Sequence, residues 1–353
     1  MSNFTPPTRV IVITLRRLGD VLLTTPLIRT LKSALSDSVI DALVFHGTDA
    51  MLHGNPDLNQ IITIPEHASW GEMARVIFPR WRKYDWAIST QTGDRPMICA
   101  WALGKYRVGF ITESSSSTWW KRRAAQITIT ENPANHRIDE LLRLTAKIGL
   151  PPRAELVPPA DAPLPLIIPP GEYVVLHAHP KFRIRQWTDS GWRELARNLR
   201  ARGFTIIATG GPDLSERNYL DRVWSAELPI LRLDGKINWA EHVTLLRGAR
   251  LYVGPDTSMT HLAAAVGIPT VAIYGPESPR RIGPWPIGAQ ICPWNPAGII
   301  QHSQNVWVVQ NPLSCLPCNQ LGCERHLASY SRCLEELTPE IVWQAVEQAL
   351  AFS

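Results

Sequence analysis

The run VIVITLRRLGDVLLTTPLIRTLKSAL, residues 10–35, sets the reading of the whole chain. Residues 10–15 are apolar almost without interruption, the pattern of a strand buried on both faces, and such strands belong to parallel sheets covered by helices. From Asp20 onward the apolar residues Val21, Leu22, Leu27, Ile28, Leu31 and Leu35 recur at helical spacing, which predicts one helix over 20–35. A buried strand leading directly into an amphipathic helix is the opening of a βαβ unit. The alternation continues through strands expected at 38–44, 61–64, 86–89 and 107–110, and the most periodic helix lies at 136–148.

Between 151 and 172 the composition changes, with eight prolines in 22 residues. Proline fixes φ and removes a donor, so this stretch reads as an extended linker. Beyond it strands at 173–176, 205–209, 230–233, 251–253 and 270–274 alternate with helices at 187–201, 215–224, 239–246 and 257–266. That is a second doubly wound α/β unit. From Gly275 the chain is rich in Pro, Trp and Cys and reads as irregular until a last helix at 339–351. The expected organisation is a first domain over 1–150, the linker over 151–172, a second domain with a Cys-rich tail over 173–338, and a closing segment over 339–353.

Composition narrows the function classes. A chain of 353 residues with 45% hydrophobic and 19% charged residues is not disordered. No segment approaches the roughly 18–20 apolar residues of a membrane span, and the N-terminal apolar run is flanked by arginines rather than followed by a cleavage site, so a soluble or peripheral protein is expected. The 36 Lys+Arg exceed the 31 Asp+Glu by five, and the excess sits in residues 1–150, with 18 basic and 13 acidic groups, while 151–353 holds 18 of each. An anionic partner for the first domain follows. No like-charged block resembles a nucleic-acid tail.

Four segments could carry chemistry. Arg16-Arg17-Leu18-Gly19-Asp20 lies where the first strand ends, at the sheet edge where open α/β folds bind ligands. Gly19 permits a tight turn, and Asp20 reads equally as helix cap and as catalytic carboxylate. Val253 to His261 again leads a strand into a helix, and the amides and hydroxyls of Asp256-Thr257-Ser258-Met259-Thr260-His261 make either a diphosphate site or an ordinary capped loop. His177 to Trp187 contains Lys181, Arg183 and Arg185, a phosphate clamp or a solvated loop. After the 205–209 strand, Gly210-Gly211-Pro212-Asp213 places a carboxylate for ribose hydroxyls or for the helix starting at Ser215. No dinucleotide fingerprint and no P-loop motif is present.

The combination resembles glycosyltransferase family 9, the ADP-heptose:lipopolysaccharide heptosyltransferases. The residues that carry it are Gly19-Asp20-Val-Leu-Leu-Thr-Thr-Pro26, the basic residue two before Trp187, Asp256-Thr-Ser-Met-Thr-His261-Leu-Ala-Ala-Ala, Tyr106-Arg-Val-Gly-Phe110 and Tyr274-Gly-Pro276. The resemblance implies a GT-B architecture of two Rossmann-like domains facing a central cleft, with the acceptor on the first and the nucleotide sugar on the second. It further implies that the last helix crosses back to the first domain. It implies a metal-independent, inverting transfer of heptose from ADP-heptose to the lipopolysaccharide inner core, on the cytoplasmic side of the inner membrane. Asp20 then becomes the general base on the acceptor hydroxyl. Arg185, with Lys181 as an alternative, and Asp256 to His261 hold the donor diphosphate; Asp213 falls near the ribose position and Ile237 near the adenine. The alternatives are another nucleotide sugar or a protein acceptor on the same fold, or a catalytically silent nucleotide-binding protein.

Two departures from the family pattern matter. Arg185 stands where Lys is usual, and a planar fork is not an ammonium. Ser258 replaces a frequent Gly, which is tolerable with helical dihedrals and strained with positive φ. Outside these motifs, Cys315, Cys318, Cys323 and Cys333 admit a structural Zn or Fe site, free thiols or redox-sensitive pairs. Trp119-Trp120-Lys121-Arg122-Arg123 reads as an acceptor or membrane contact in a Ser-rich loop, or as the start of a surface helix. Arg16, Arg17 and these three cations form the expected acceptor-binding set.

Overall fold

The computed structural model describes residues 6–113, 115–224 and 228–352. The chain forms two compact units, Met1–Pro159 and Ala160–Ser353. The first contains strands β1 (Arg9–Thr14), β2 (Val39–Phe45), β3 (Gln60–Ile64), β4 (Tyr84–Ser89), β5 (Gly104–Ile111) and β6 (Ile127–Thr130). Its helices are α1 (Leu18–Leu22), α2 (Thr25–Ala34), α3 (Trp70–Ile77), α4 (Asp94–Leu103), α5 (Ser115–Ala124) and α6 (Arg137–Lys147). All strand pairs are parallel, in the order β3-β2-β1-β4-β5-β6. The reversal of strand order between β1 and β4 opens a crevice at their carboxyl ends.

The second unit repeats the plan. Its strands are β7 (Tyr173–Leu176), β8 (Thr205–Ala208), β9 (Leu231–Arg232), β10 (Leu251–Pro255), β11 (Thr270–Ile273), β12 (Ile300–Ser303) and β13 (Val306–Val309). Its helices are α7 (Asp189–Ala201), α8 (Leu214–Val223), α9 (Trp239–Arg247), α10 (Ser258–Val266), α11 (Pro279–Ile282), α12 (Arg332–Glu335) and α13 (Pro339–Ala351). The order is β12-β13-β11-β10-β7-β8-β9, parallel except for the β12–β13 hairpin. Here the order reverses between β7 and β10.

Two expectations are corrected. The helix expected over 20–35 is two helices, because Pro26 has no N–H to offer the Leu22 carbonyl. The Thr25 hydroxyl donates to that carbonyl instead at 2.8 Å, and the Thr24 hydroxyl donates to the Asp20 carbonyl at 2.8 Å. The tail after Gly275 is not wholly irregular, since Val306–Val309 is buried throughout and pairs with β11. The closing helix α13 is a core element of the second unit. Val342, Ala345, Val346 and Ala349 are buried in one cluster with Trp192 and Trp307, so its apolar stripe is used there.

Residues 151–172 contain no helix or strand, and yet both ends of the segment are anchored. Val157 N–H donates to the Thr25 hydroxyl at 3.0 Å, and Arg153 N–H to the Thr30 hydroxyl at 2.8 Å. Further on, Ala162 N–H donates to the Ala240 carbonyl and Thr244 returns a bond to the Ala162 carbonyl. Thr25 is fully buried and serves both the helix break and the linker. Thr25→Val leaves two buried backbone groups without partners and should lower stability by about 1–3 kcal/mol. A urea midpoint unchanged by this substitution would show that water replaces both bonds.

Candidate active site

At the carboxyl edge of the first sheet a row of threonines seats α1. The Thr14 hydroxyl lies 3.0 Å from that of Thr90 and 3.3 Å from that of Thr24, which in turn bonds the Asp20 carbonyl. Gly19 makes no positive-φ turn and Asp20 is not the cap, although it lies at the helix start as expected. Gly19 lies within α1 and is not among the glycines of positive φ, and the N-cap is Arg17, so Asp20 sits in the first helical turn and caps nothing from outside it. Its carboxylate is half-buried, with Arg16 Nη1 3.6 Å from Oδ1.

Arg137, the first residue of α6, is a neighbour that local sequence did not single out. It is 7% exposed, its Nη2 donates to the Thr90 carbonyl, and its Nη1 lies 3.5 Å from Glu131. Burial lowers its pKa from the ordinary arginine value, and among the charges opposing that shift Asp20 acts most strongly. A buried guanidinium thus feels the charge of the candidate base. Of the other expected acceptor cations, Arg17, Arg122 and Arg123 are exposed. Lys121 is not: the segment is helix α5 rather than a loop, and Lys121 turns inward to the Thr92 carbonyl at 2.5 Å and to Asp94 at 2.8 Å. It is a structural ion pair, and the correction follows from the helical period, which puts Lys121 and Arg122 about 100° apart.

The second unit gathers its charges beside α10. Arg185, in a short 3₁₀ turn over Arg183–Arg185, directs Nη1 to Asp256 Oδ2 at 3.1 Å and to the Asp256 carbonyl at 3.2 Å. Its Nη2 lies 3.7 Å from Glu277 Oε1, and Arg281 approaches Glu277 Oε2 at 3.8 Å. His261 Nε2 stands 3.9 Å from Asp256 Oδ1, and the Tyr274 hydroxyl lies 3.4 Å from the same oxygen. Burial, followed by the Asp256 charge, raises the Tyr274 pKa far above the ordinary phenol. Lys181 and Arg183 remain exposed, so Arg185 is the cation drawn into this cluster.

The Asp256–His261 segment divides its labour. Thr257 is the N-cap of α10 without a side-chain capping bond, and Thr257 and Ser258 are half-buried. Ser258 begins the helix and is not a positive-φ residue, so its side chain causes no strain. Met259 and Thr260 face inward instead. Thr260 donates to the Pro255 carbonyl at 2.5 Å and meets the Tyr252 hydroxyl at 2.9 Å, a structural role that removes it from direct ligand contact. A helix start of this kind favours negative charge.

Two carboxylates stand at the edge where the ribose site is expected. Asp213 is the N-cap of α8, accepting from Ser215 N–H at 2.9 Å and from the Ser215 hydroxyl at 2.5 Å. The inward carboxylate at this edge is Glu216, which accepts from Gly211 N–H at 2.7 Å and lies 3.5 Å from His179 Nδ1. Burial opposes its ionisation, but His179 and the Gly211 amide outweigh that and hold its pKa below the ordinary value. The signal in the sequence was the helical offset, one turn inside the cap. Ile237 lies half-buried just before Asn238, the N-cap of α9.

For the late cysteines a structural metal, free thiols and redox-sensitive pairs are the readings to compare with their placement. Among the described residues no group of three or more His, Cys, Asp or Glu side chains is arranged to hold a metal ion. Cys333 is buried in the apolar core beside Leu334 and Leu337, whereas Cys315 and Cys323 are exposed and Cys323 accepts from Arg332 N–H at 3.4 Å. Burial first, and then the other three thiols, push the Cys333 thiol up to about 12.

His177, at the end of β7, bonds the Thr209 hydroxyl at 3.0 Å, and His242 bonds the Asn238 carbonyl at 2.8 Å. Burial is the main cause that pushes both imidazoles down to about 4 from 6.5. The unfolded chain then binds protons that the folded chain refuses, so stability falls as pH drops from 6.5 to about 4. The expected slope is about 1.4 kcal/mol per pH unit for each histidine. His242→Gln should remove one histidine's share of that slope in urea unfolding; an identical pH profile for the variant would refute the assignment.

Comparison with known proteins bears on the family and the fold. The sequence profile of glycosyltransferase family 9 (heptosyltransferase) matches residues 80–297, which include Arg185 and Asp256–His261 and leave Asp20 and the late cysteines outside. Lipopolysaccharide heptosyltransferase 3 of Escherichia coli is 24% identical over 285 residues, 76% of this chain and 83% of that protein. A glycosyl transferase family 9 structure from Veillonella parvula superposes with a TM-score of 0.79 at 17% identity, covering 98% of both chains. The E. coli ADP-heptose lipopolysaccharide heptosyltransferase II gives a TM-score of 0.74 at 18% identity, over 97% of this chain and 98% of that one. These likenesses show the expected GT-B fold class. With the family profile spanning more than half of its length, the chain belongs to glycosyltransferase family 9 and is a glycosyltransferase.

Proposed function

We propose that this protein transfers heptose from ADP-heptose to a hydroxyl of the lipopolysaccharide inner core with inversion, working as a peripheral protein at the cytoplasmic face of the inner membrane. The observation that carries the reading is the Arg185–Asp256–Glu277 cluster beside the start of α10. The guanidinium is oriented by one close and one looser carboxylate. The 3.7 Å contact with Glu277 is weak enough to be exchanged for a diphosphate oxygen. The names of the relatives, two of which refer to lipopolysaccharide heptosyl transfer, support the donor and the acceptor.

In the proposed reaction the acceptor oxygen bonds to C1 of the heptose while its proton passes to Asp20. The bond from C1 to the diphosphate oxygen breaks with its electron pair, and ADP leaves. Charge grows on the departing diphosphate, so fixed donors there favour the transition state over the ground state. Arg185 and the α10 amides supply them in this reading, with Glu216 taking the ribose hydroxyls. Asp20 acts as base while proton transfer accompanies bond formation. Arg16, Arg17, Arg122 and Arg123 form the electropositive approach for a phosphorylated acceptor.

Incubation with ADP-heptose and truncated core should release ADP and extend the core by one heptose. Asp20→Ala should cut turnover by about 10²–10⁴ while leaving ADP affinity intact; full activity in that variant overturns the base assignment. Arg185→Ala should weaken ADP binding by about tenfold or more in calorimetry, the loss of a charge-assisted contact. A thermal-shift series of nucleoside diphosphates that favoured UDP or GDP over ADP would replace the donor.

A further inference from the structure

The first unit carries an exposed aromatic patch that the transfer reaction does not use. Residues 78–83, Phe-Pro-Arg-Trp-Arg-Lys, connect α3 to β4. Phe78 is 66% exposed, Trp81 43% and, on α4, Trp101 42%. These rings contact one another rather than the core: Phe78 stacks on Trp81 at 5.8 Å, and Trp81 meets Trp101 edge-on at 5.2 Å. Arg82 lies over the Trp101 ring at 5.6 Å. It adopts a left-handed φ of 51°, stabilised by its N–H to the Ala102 carbonyl and its Nη1 to the Gly104 carbonyl. A non-glycine residue in that region carries a conformational cost that a plain connector avoids. Here the backbone is turned so that Trp81 faces outward.

Charge states what the patch fits. Residues 73–84 contain Arg75, Arg80, Arg82 and Lys83 and no acidic residue. Large aromatics with polarisable faces, ringed by lysine and arginine, suit the headgroup boundary of a bilayer, where the rings enter the interface and the cations meet anionic lipid. The patch lies at the amino ends of β4 and β5, the edge opposite Asp20, so it is separate from the candidate active site. We propose that Phe78, Trp81 and Trp101 with Arg80, Arg82 and Lys83 form a docking surface for an anionic phospholipid bilayer. This rests on the peripheral placement proposed above and names the surface responsible for it.

The test uses the full chain and vesicles of phosphatidylcholine with or without one third phosphatidylglycerol, read by co-sedimentation. The wild-type protein should bind the anionic vesicles and lose binding as salt rises. The triple variant Phe78→Ser, Trp81→Ser, Trp101→Ser should lose most of that binding with its circular dichroism spectrum and Tm retained. Arg80→Gln and Lys83→Gln should each weaken it about fivefold at low salt. Transfer to a soluble, deacylated core acceptor should be unchanged in all of them. Equal vesicle binding by the triple variant overturns the proposal. So does a wild-type protein that ignores anionic vesicles but changes from dimer to monomer on losing the three rings, which makes a second copy the occupant. Patch-dependent vesicle binding without transfer to any core acceptor upholds the docking surface and overturns only the proposed reaction.

Discussion

The reversal of strand order in a parallel sheet is the constraint on which the rest of this molecule depends. Every crossover must be right-handed, so the helices that follow β1 and β4 go to opposite faces, as do those that follow β7 and β10. The carboxyl ends of these neighbouring strands are then left uncovered, with helix starts pointing out of the sheet edge. Thr14, Thr90 and Asp20 occupy that position in one unit, and His177 and Asp256 occupy it in the other. The candidate site residues lie at these edges because elsewhere both sheet faces are buried under apolar side chains.

Buried charge obeys a second rule at both edges: it is paired, and the pairing sets orientation. Arg137, 3.5 Å from Glu131, and Asp256, 3.1 Å from Arg185, are each more than nine-tenths buried. An isolated ion so placed is costly, and an opposite charge with backbone hydrogen bonds offsets the desolvation. The result is a carboxylate and a guanidinium whose positions are held before any ligand arrives. Preorganisation of this kind is what electrostatic catalysis requires, since dipoles and charges that need no rearrangement act fully on the charge that develops. Glu277, by contrast, is a looser partner and belongs to the adaptable part of the same cluster.

Much of the architecture was legible in the chain because it is written in local period. The strand and helix alternation, the Pro-rich boundary and the segments at the two sheet edges all follow from spacing within about 15 residues. Errors arose where one residue's chemistry overrides the period. Pro26 divides a continuous apolar stripe into α1 and α2, and the short β12–β13 hairpin is hidden in a stretch dominated by Pro and Trp. Cysteine spacing says nothing of depth, and the apolar neighbours of Cys333 draw its thiol into the core.

By itself, then, the sequence determined the two doubly wound units, the edges where ligands meet them and the residue types available there. Tertiary structure decided which of those residues face the site. Lys121 folds back to Asp94, Asp213 caps α8 while Glu216 turns inward, and Arg185 rather than Lys181 or Arg183 reaches Asp256. The physical reason is range. Backbone periodicity is set by neighbours a few residues apart, whereas Arg185 and Asp256 are 71 residues apart and Arg137 and Thr90 are 47 apart. Such pairs exist only once the sheets have brought distant strands together, because a charge finds its partner in space and not along the chain.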